Sequence, residues 1–223
     1  MAERVAIIGG TGAIGLALAT RLAQAGCEVV IGSRDEARAQ AAAEGIAGGR
    51  VSGASNGGAA GSAEIVFLCV PYASQASTVK GIADSLAPGA ILVDATVPLA
   101  TNVGGKPTRT LGVPDGSAAQ QADALLPDAV TVVAGLHTVS AVLLADTDHE
   151  LDEDTLLCSD DRGAIAKVAA ILELIPGLRA VDAGRLEQAR VVEQMTALMI
   201  SMNIRHKTHT GVRITGLPDS PGP

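Results

Sequence analysis

The chain has 223 residues, 48% of them hydrophobic and 18% charged, with a formal net charge of −8. That length holds one large domain, or a domain with a small appendage, and the acidic balance argues against nucleic acid or an anionic membrane surface as partner. Phe67 and Tyr72 are the only aromatic residues, so the core must be aliphatic, and binding by base stacking on aromatic side chains is disfavoured.

In chain order, Val5-Ala6-Ile7-Ile8 predicts a strand that breaks into Gly9-Gly10-Thr11-Gly12-Ala13-Ile14-Gly15 and then an alanine-rich amphipathic helix. Gly10, Gly12 and Gly15 fit the G-x-G-x-x-G spacing. Gly10 is expected to allow the tight turn, Gly12 the approach of backbone to a pyrophosphate, and Gly15 the packing of helix on strand. The pyrophosphate then sits on the amides of Thr11, Gly12, Ala13 and Ile14, at the positive end of the helix dipole. Three glycines so spaced are weak evidence in a chain with 26 of them; the strand before and the helix after give them weight.

The next strand, Val29-Val30-Ile31, stops at Gly32-Ser33-Arg34. A unit that prefers NAD carries an Asp or Glu there, accepting the ribose hydroxyl protons. Ser33 and Arg34 suit the 2′-phosphate of NADP instead. Ser33-Arg34-Asp35-Glu36 also matches a capping box with Ser33 at the N-cap, and Arg34 and Arg38, four apart, read alternatively as solvated cations on that helix. Capping and phosphate binding are compatible, because a capped helix N-terminus is itself an anion site.

Ile65 to Val70 is a continuous apolar run, as expected of a parallel strand buried on both faces. It ends at Pro71-Tyr72, and a helix is expected over about Ser74–Leu86. Ala90 to Val93 is the next strand, ending at Asp94. Thr96 to Gly116, rich in Gly, Pro and Thr, is irregular, and loops of this length tend to be functional or mobile. Ser117-Ala118-Ala119-Gln120 starts a helix to about Leu126, and Val130 to Ala134 is a strand ending at Gly135-Leu136-His137.

Beyond His137 the pattern changes. A short strand over Thr155–Cys158 precedes Ser159-Asp160-Asp161, whose carboxylates suit a helix N-terminus better than a metal, and a helix to Leu174. Another strand ends at Asp182, and Gly184 precedes a helix over about Leu186–His206. That helix carries Val191, Val192, Met195, Leu198, Met199, Met202 and Ile204 around more than one face. It is either central to the fold or shared with a partner subunit, and a homodimer built on it is expected.

Cys27, Cys69 and Cys158 are isolated, so neither a disulfide framework nor a structural zinc is indicated. The N-terminus runs directly into the first strand, and no apolar stretch approaches about 18 residues, so a cytoplasmic protein without a membrane span is expected. The alternation predicts an α/β fold, a Rossmann-type doubly wound parallel sheet with a small C-terminal α/β domain. Its expected divisions are 1–136, 137–217 and a flexible tail over 218–223.

Ligands of open parallel sheets gather at the carboxyl ends of the strands. The site candidates are therefore Thr11 to Ile14, Ser33-Arg34, Val70 to Tyr72, Val97-Pro98 and His137 to Ala141. No Tyr-x-x-x-Lys pair exists, since Ala76 stands four residues after Tyr72. His137 is the one candidate acid or base, and a lone histidine after a strand is more often structural. Such scarcity points to an acceptor that takes a hydride without a placed proton donor.

The stretches Gly9 to Gly15, Gly32-Ser33-Arg34, Val70-Pro71-Tyr72, Leu136-His137-Thr138-Val139-Ser140-Ala141, Asp182-Ala183-Gly184 and Gly211-Val212-Arg213-Ile214 occur in that order. Together they resemble the NADPH-dependent reductases of the 5-deazaflavin coenzyme F420, nearly end to end. The resemblance implies NADP and coenzyme F420 as the small-molecule partners, the deazaflavin lying over the nicotinamide between the two domains, and reversible hydride transfer as the reaction. It places Thr11 to Ile14 on the pyrophosphate and Ser33, Arg34 and Arg38 on the 2′-phosphate. Val70, Ser74, Val97, Ala141 and Thr210 would line the rest of the nucleotide, and His137, Val139 and Ser140 would border the deazaflavin. The chain departs from the family at Asn56 to Ala63, a poor helix former, and at Ser140, where the family often has proline. The rival readings are an NADPH-dependent reductase of an imine, keto acid or ferric chelate, and a non-catalytic NADP sensor.

Overall fold

The structure, a computed structural model, describes residues 3–217; the expected tail over 218–223 lies outside them. Six strands form one parallel sheet: β1 (Arg4–Ile8), β2 (Glu28–Ser33), β3 (Arg50–Ser55), β4 (Ile65–Leu68), β5 (Ile91–Asp94) and β6 (Thr131–Ala134). Their order is β3-β2-β1-β4-β5-β6, so the winding reverses between β1 and β4, where such sheets hold ligands.

The strands need apolar residues on both faces because helices cover both. Val5, Ile7, Val29, Ile31, Phe67 and Val93 pack on one side with α1 (Ala13–Gln24), α2 (Glu36–Glu44) and α7 (Arg162–Leu172). Ala6, Ile8, Val30, Leu68 and Leu92 pack on the other with α3 (Asn56–Ala60), α4 (Tyr72–Ile82), α5 (Ala118–Asp123) and α8 (Ala189–His206). Successive strand residues thus serve opposite cores, as the pleat requires. Both cores run on into residues beyond 150.

Sequence reading passes over β3 and places no helix at 56–63, and the reasons are physical. Arg50–Ser55 is an edge strand with little apolar character, held by packing on α2: a Cβ on Gly53 would lie 2.2 Å from the Gln40 nitrogen. The five residues of α3 are poor helix formers, yet Ser55 caps them through the Gly58 amide at 3.2 Å, and Ala59 and Ala60 are fully buried. Tertiary burial overrides propensity there. The first residue of α4 is Tyr72, two before the expected start, and the long helix begins at Ala189 after a 3-10 turn over Leu186–Gln188. The irregular 96–116 segment holds a 3-10 turn at Ala100–Val103 and closes on itself through a bridge between Leu99 and Thr110.

After β6 the chain forms α6 (Ala141–Ala145), then β7 (Glu153–Leu157) and β8 (Leu178–Asp182), a parallel pair flanking α7. An antiparallel bridge between Ala134 and Cys158 joins this pair to the main sheet. Asp161 caps α7 through the Gly163 and Ala164 amides, and Asp160 pairs with Arg185. Asp154, fully buried on β7, receives Nε and Nη2 of Arg179 at 2.9 and 2.7 Å and the Ile214 amide at 2.6 Å. Its own amide donates to Val212, so the segment after α8 is sewn onto β7. Burial opposes the charge of Asp154, but Arg179, the Ile214 amide and Arg213 outweigh it and hold the carboxyl below its ordinary range.

Removing one partner of a buried ion pair leaves the other charge stranded. Asp154→Ala is expected to cost about 3–5 kcal/mol in denaturant unfolding at neutral pH. A depressed carboxyl stabilises above its unfolded pKa and stops doing so as pH falls through its folded one. The deficit should therefore shrink below about pH 4; a deficit under about 1 kcal/mol at neutral pH would show that the pair does not hold the segment.

Candidate functional site

The turn after β1 is built on the Gly9 carbonyl. Gly9, at φ 79°, takes the left-handed position assigned by spacing to Gly10, and a Cβ on it would lie 2.5 Å from the Cys69 oxygen. Gly12 donates its amide to the Gly9 oxygen at 2.9 Å and precedes the first turn of α1. Gly15 meets the same oxygen from the helix side, where a Cβ would come within 2.6 Å. Gly10 is instead pressed against Ile31 and the Ile7 oxygen. The helix therefore starts directly at the sheet edge, with Thr11, Gly12, Ala13 and Ile14 at its positive end.

A cleft of about 480 Å³ opens there, lined by Thr11, Gly12, Ser33, Arg34, Arg38, Val70 and Ser74 among others. Seven of the residues expected to hold the nucleotide thus share one cavity, with Ala13 and Ile14 in the adjoining helix turn. Ser33 does not cap α2. Asp35 does, its Oδ1 accepting from Ala37 and Arg38, while the buried Ser33 Oγ accepts, among the described residues, only the Asp35 amide at 3.2 Å. Asp35, two residues later, has the longer reach to the α2 amides and wins the competition. This leaves the Ser33 hydroxyl proton for a ligand, and Arg34 and Arg38 are exposed at the cleft rim.

Sequence reasoning missed Asn56 and Thr78, which also line the cleft. Asn56 follows the strand that was missed, and its buried Oδ1 makes no hydrogen bond among the described residues. Thr78 lies one turn beyond Ser74 on α4, a spacing that places both on one face.

The remaining expected residues, Thr210 apart, lie along the same sheet edge but outside that cavity. Val97 follows β5, and the turn after β6 carries His137, Val139, Ser140 and Ala141. Leu136 enters the turn at φ 68°, rare for a non-glycine residue, with its amide held by Thr155 Oγ1 at 2.9 Å. Thr138 Oγ1 donates to the Asp154 carbonyl, Thr196 Oγ1 donates to the His137 carbonyl at 2.7 Å, and Ser140 caps α6. The backbone is thus fixed from β7 and α8 together. Thr210 lies after α8, away from the sheet edge, held by Asn203 through amide and hydroxyl, and the next residue, Gly211, packs on Glu153 of β7.

The titratable groups here are buried. His137 is 5% exposed, and neither ring nitrogen has a hydrogen-bond partner among the described residues. Burial pulls the imidazole down to about 4, the Thr96 backbone offsetting part of the fall, so it is neutral at pH 7. Burial pushes Glu153 up to about 7 against the Ser140 backbone and the charge of Arg21. Behind Val97, Asp94 accepts from Thr96 and Gln75, and Glu193 of α8 accepts from the Ala118 and Ala119 amides. Burial raises them to about 6 and about 7. Their oxygens are spent on fixing α4, α5 and the start of the 96–116 loop.

A family model described as NADP oxidoreductase, coenzyme F420-dependent, matches residues 4–98. An F420-dependent NADP reductase of Methanothermobacter marburgensis is 42% identical over 224 residues, covering 97% of this chain and all of the relative. One from Methanocaldococcus jannaschii is 39% identical over 96% of this chain and 99% of the relative. A crystal structure from Arthrobacter sp. FB24, provisionally named an F420-dependent NADP reductase, superposes with a TM-score of 0.81 at 28% identity, over 96% of this chain and 99% of its own. With its glycine turn, its arginine-rimmed cleft and near full-length identity to these proteins, the chain belongs to the family of F420-dependent NADP reductases.

Proposed function

We propose that this protein transfers a hydride reversibly between NADP(H) and coenzyme F420. The observation that carries this is the pairing of two features on one sheet edge: a nucleotide cleft rimmed by Arg34 and Arg38, and an acceptor turn whose histidine is neutral and buried. Both partners are hydride carriers, so the protein's task is to hold C5 of one near C4 of the other and exclude water. A proton donor is not required at the reacting atoms, which fits a histidine pulled down to about 4. A general acid or base works best with a pKa near the working pH.

On this reading the amides of Thr11 to Ile14 hold the pyrophosphate, Ser33, Arg34 and Arg38 the 2′-phosphate, and Val70, Ser74, Val97, Ala141 and Thr210 the rest of the nucleotide. The deazaflavin borders His137, Val139 and Ser140. Residues 1–136 form the nucleotide half and 137–217 the acceptor half. The protein is cytoplasmic, a place that suits three unpaired cysteines.

It is also a homodimer. Val191, Leu198 and Met202 are 50%, 60% and 40% exposed and share one stripe of α8 with Met195. Met199, expected in that surface, faces the core at 8% exposure. Light scattering at micromolar concentration should report two chains; a monomer would contradict the assignment.

Mixing catalytic amounts of the protein with NADPH and oxidised coenzyme F420 should remove the deazaflavin's visible absorbance. No loss would overturn the proposed reaction and leave the readings as a reductase of another acceptor or as a sensor. NADPH should bind at least about tenfold tighter than NADH, since a bidentate arginine on phosphate is worth about 1.5–3 kcal/mol. Arg34→Ala should narrow that gap, and equal affinities in the unaltered protein would sink the 2′-phosphate site. His137→Ala should raise the KM for F420, leave NADPH binding unchanged and lower kcat far less than about a hundredfold. A larger fall with loss of a pH limb would make His137 a proton donor and favour an imine or carbonyl acceptor.

A further inference from the structure

Arg21 stands on the buried face of α1, 4% exposed among alanines and leucines. Its guanidinium crosses to the end of α6. Nε donates to the Leu144 carbonyl at 2.9 Å, and Nη2 donates to the carbonyls of Leu143 at 3.1 Å, His149 at 2.9 Å and Asp146. One side chain of the nucleotide half thus gathers four main-chain carbonyls from a segment more than a hundred residues away.

The last carbonyls of a helix have no partner within it, and a cation is favoured beside them. Helix α6 has five residues, too few to persist on its own. Its shape depends on what holds its two ends. At the start, Ser140 Oγ accepts the Leu143 amide at 3.5 Å, a long bond; at the finish stands Arg21. The residues so placed at the start are Ser140 and Ala141. Burial works against the Arg21 charge while Asp146 and Glu153 support it, and an arginine stays protonated throughout the working range.

We propose that Arg21 is a positioning residue, clamping the end of α6 to α1 so that Ser140 keeps a fixed distance from the Thr11 to Ile14 amides. The clamp rests on the reading of His137, Val139 and Ser140 as the deazaflavin edge. It makes the nucleotide helix the ruler against which the acceptor is set. Arg21 touches neither substrate, and lies about 12 Å down the axis from the first residue of α1. Its effect falls on the alignment of two bound molecules, where displacement by about 1 Å can cost a hundredfold in rate.

The test is steady-state kinetics of full-length Arg21→Met and Arg21→Lys with NADPH and F420, beside NADPH binding by its own fluorescence. Arg21→Met should raise the KM for F420 at least about tenfold and lower kcat about tenfold, with NADPH affinity within about twofold of the unaltered protein. Arg21→Lys, which keeps the charge with fewer directed donors, should fall between, and serves alone if the methionine variant does not fold. Amide exchange should quicken over 143–146 in these variants and stay slow in β1 and β4. An unchanged KM for F420, or equal losses of F420 and NADPH binding, overturns the clamp. A raised KM in His137→Ala beside an unchanged one in Arg21→Met overturns the clamp alone. An unchanged KM in His137→Ala overturns the deazaflavin edge on which it rests.

Discussion

Three pieces of backbone meet at the Gly9 carbonyl, and most of the site depends on that meeting. The Gly12 amide bonds to it, Gly15 packs on it without a Cβ, and Gly9 itself lies against the carbonyl of Cys69, the residue that follows β4. The contact brings α1 onto the sheet edge where the winding reverses. A methyl group at Gly9 or Gly15 would push strand and helix apart, and the anion site at the helix start would lose its place beneath Val70 and Ser74. From that fixed start α1 runs down the sheet and presents Arg21 to the far segment.

Burial decides the electrostatics of the acceptor side. Asp94, Glu153 and Glu193 are at most 2% exposed, and burial raises each toward neutrality. Asp94 and Glu193 are engaged by amides, so they brace the framework and do not face a substrate as bases. His137 is moved the opposite way by the same cause, because desolvation penalises whichever form is charged. Glu153 alone of the three carboxyls lies against the Ser140 backbone of the turn, enclosed beneath it at 1% exposure. The turn's own histidine is thus neutral, beside a rim with strong cationic character. That combination suits anionic nucleotide binding and a reaction in which hydride moves alone.

The parallel sheet was legible because β1, β2, β4, β5 and β6 are runs of aliphatic residues bounded by glycine, proline or a polar end. The edge strand Arg50–Ser55 was not, since it has only one well-packed side and Gly53 serves α2. The nucleotide cleft followed from glycine spacing and from Ser33-Arg34 in place of an acid. The cap of α2 was misassigned because Ser33 and Asp35 both have capping chemistry, and only the path of the chain after β2 decides between them. Arg21, Asn56 and Glu153 left no signal of their own. An arginine in an alanine-rich helix reads as a solvated cation until the partner carbonyls of residues 143–149 are seen beside it.

The central claim is that hydride passes directly between the two bound carriers, with no exchange through a protein group. Carrying deuterium at both C4 positions of NADPH into the reaction in ordinary water tests this most directly. Direct transfer predicts one deuterium at C5 of the reduced deazaflavin, and none there when unlabelled NADPH reacts in heavy water. Solvent deuterium at C5, or loss of the label from NADPH to water, would contradict it.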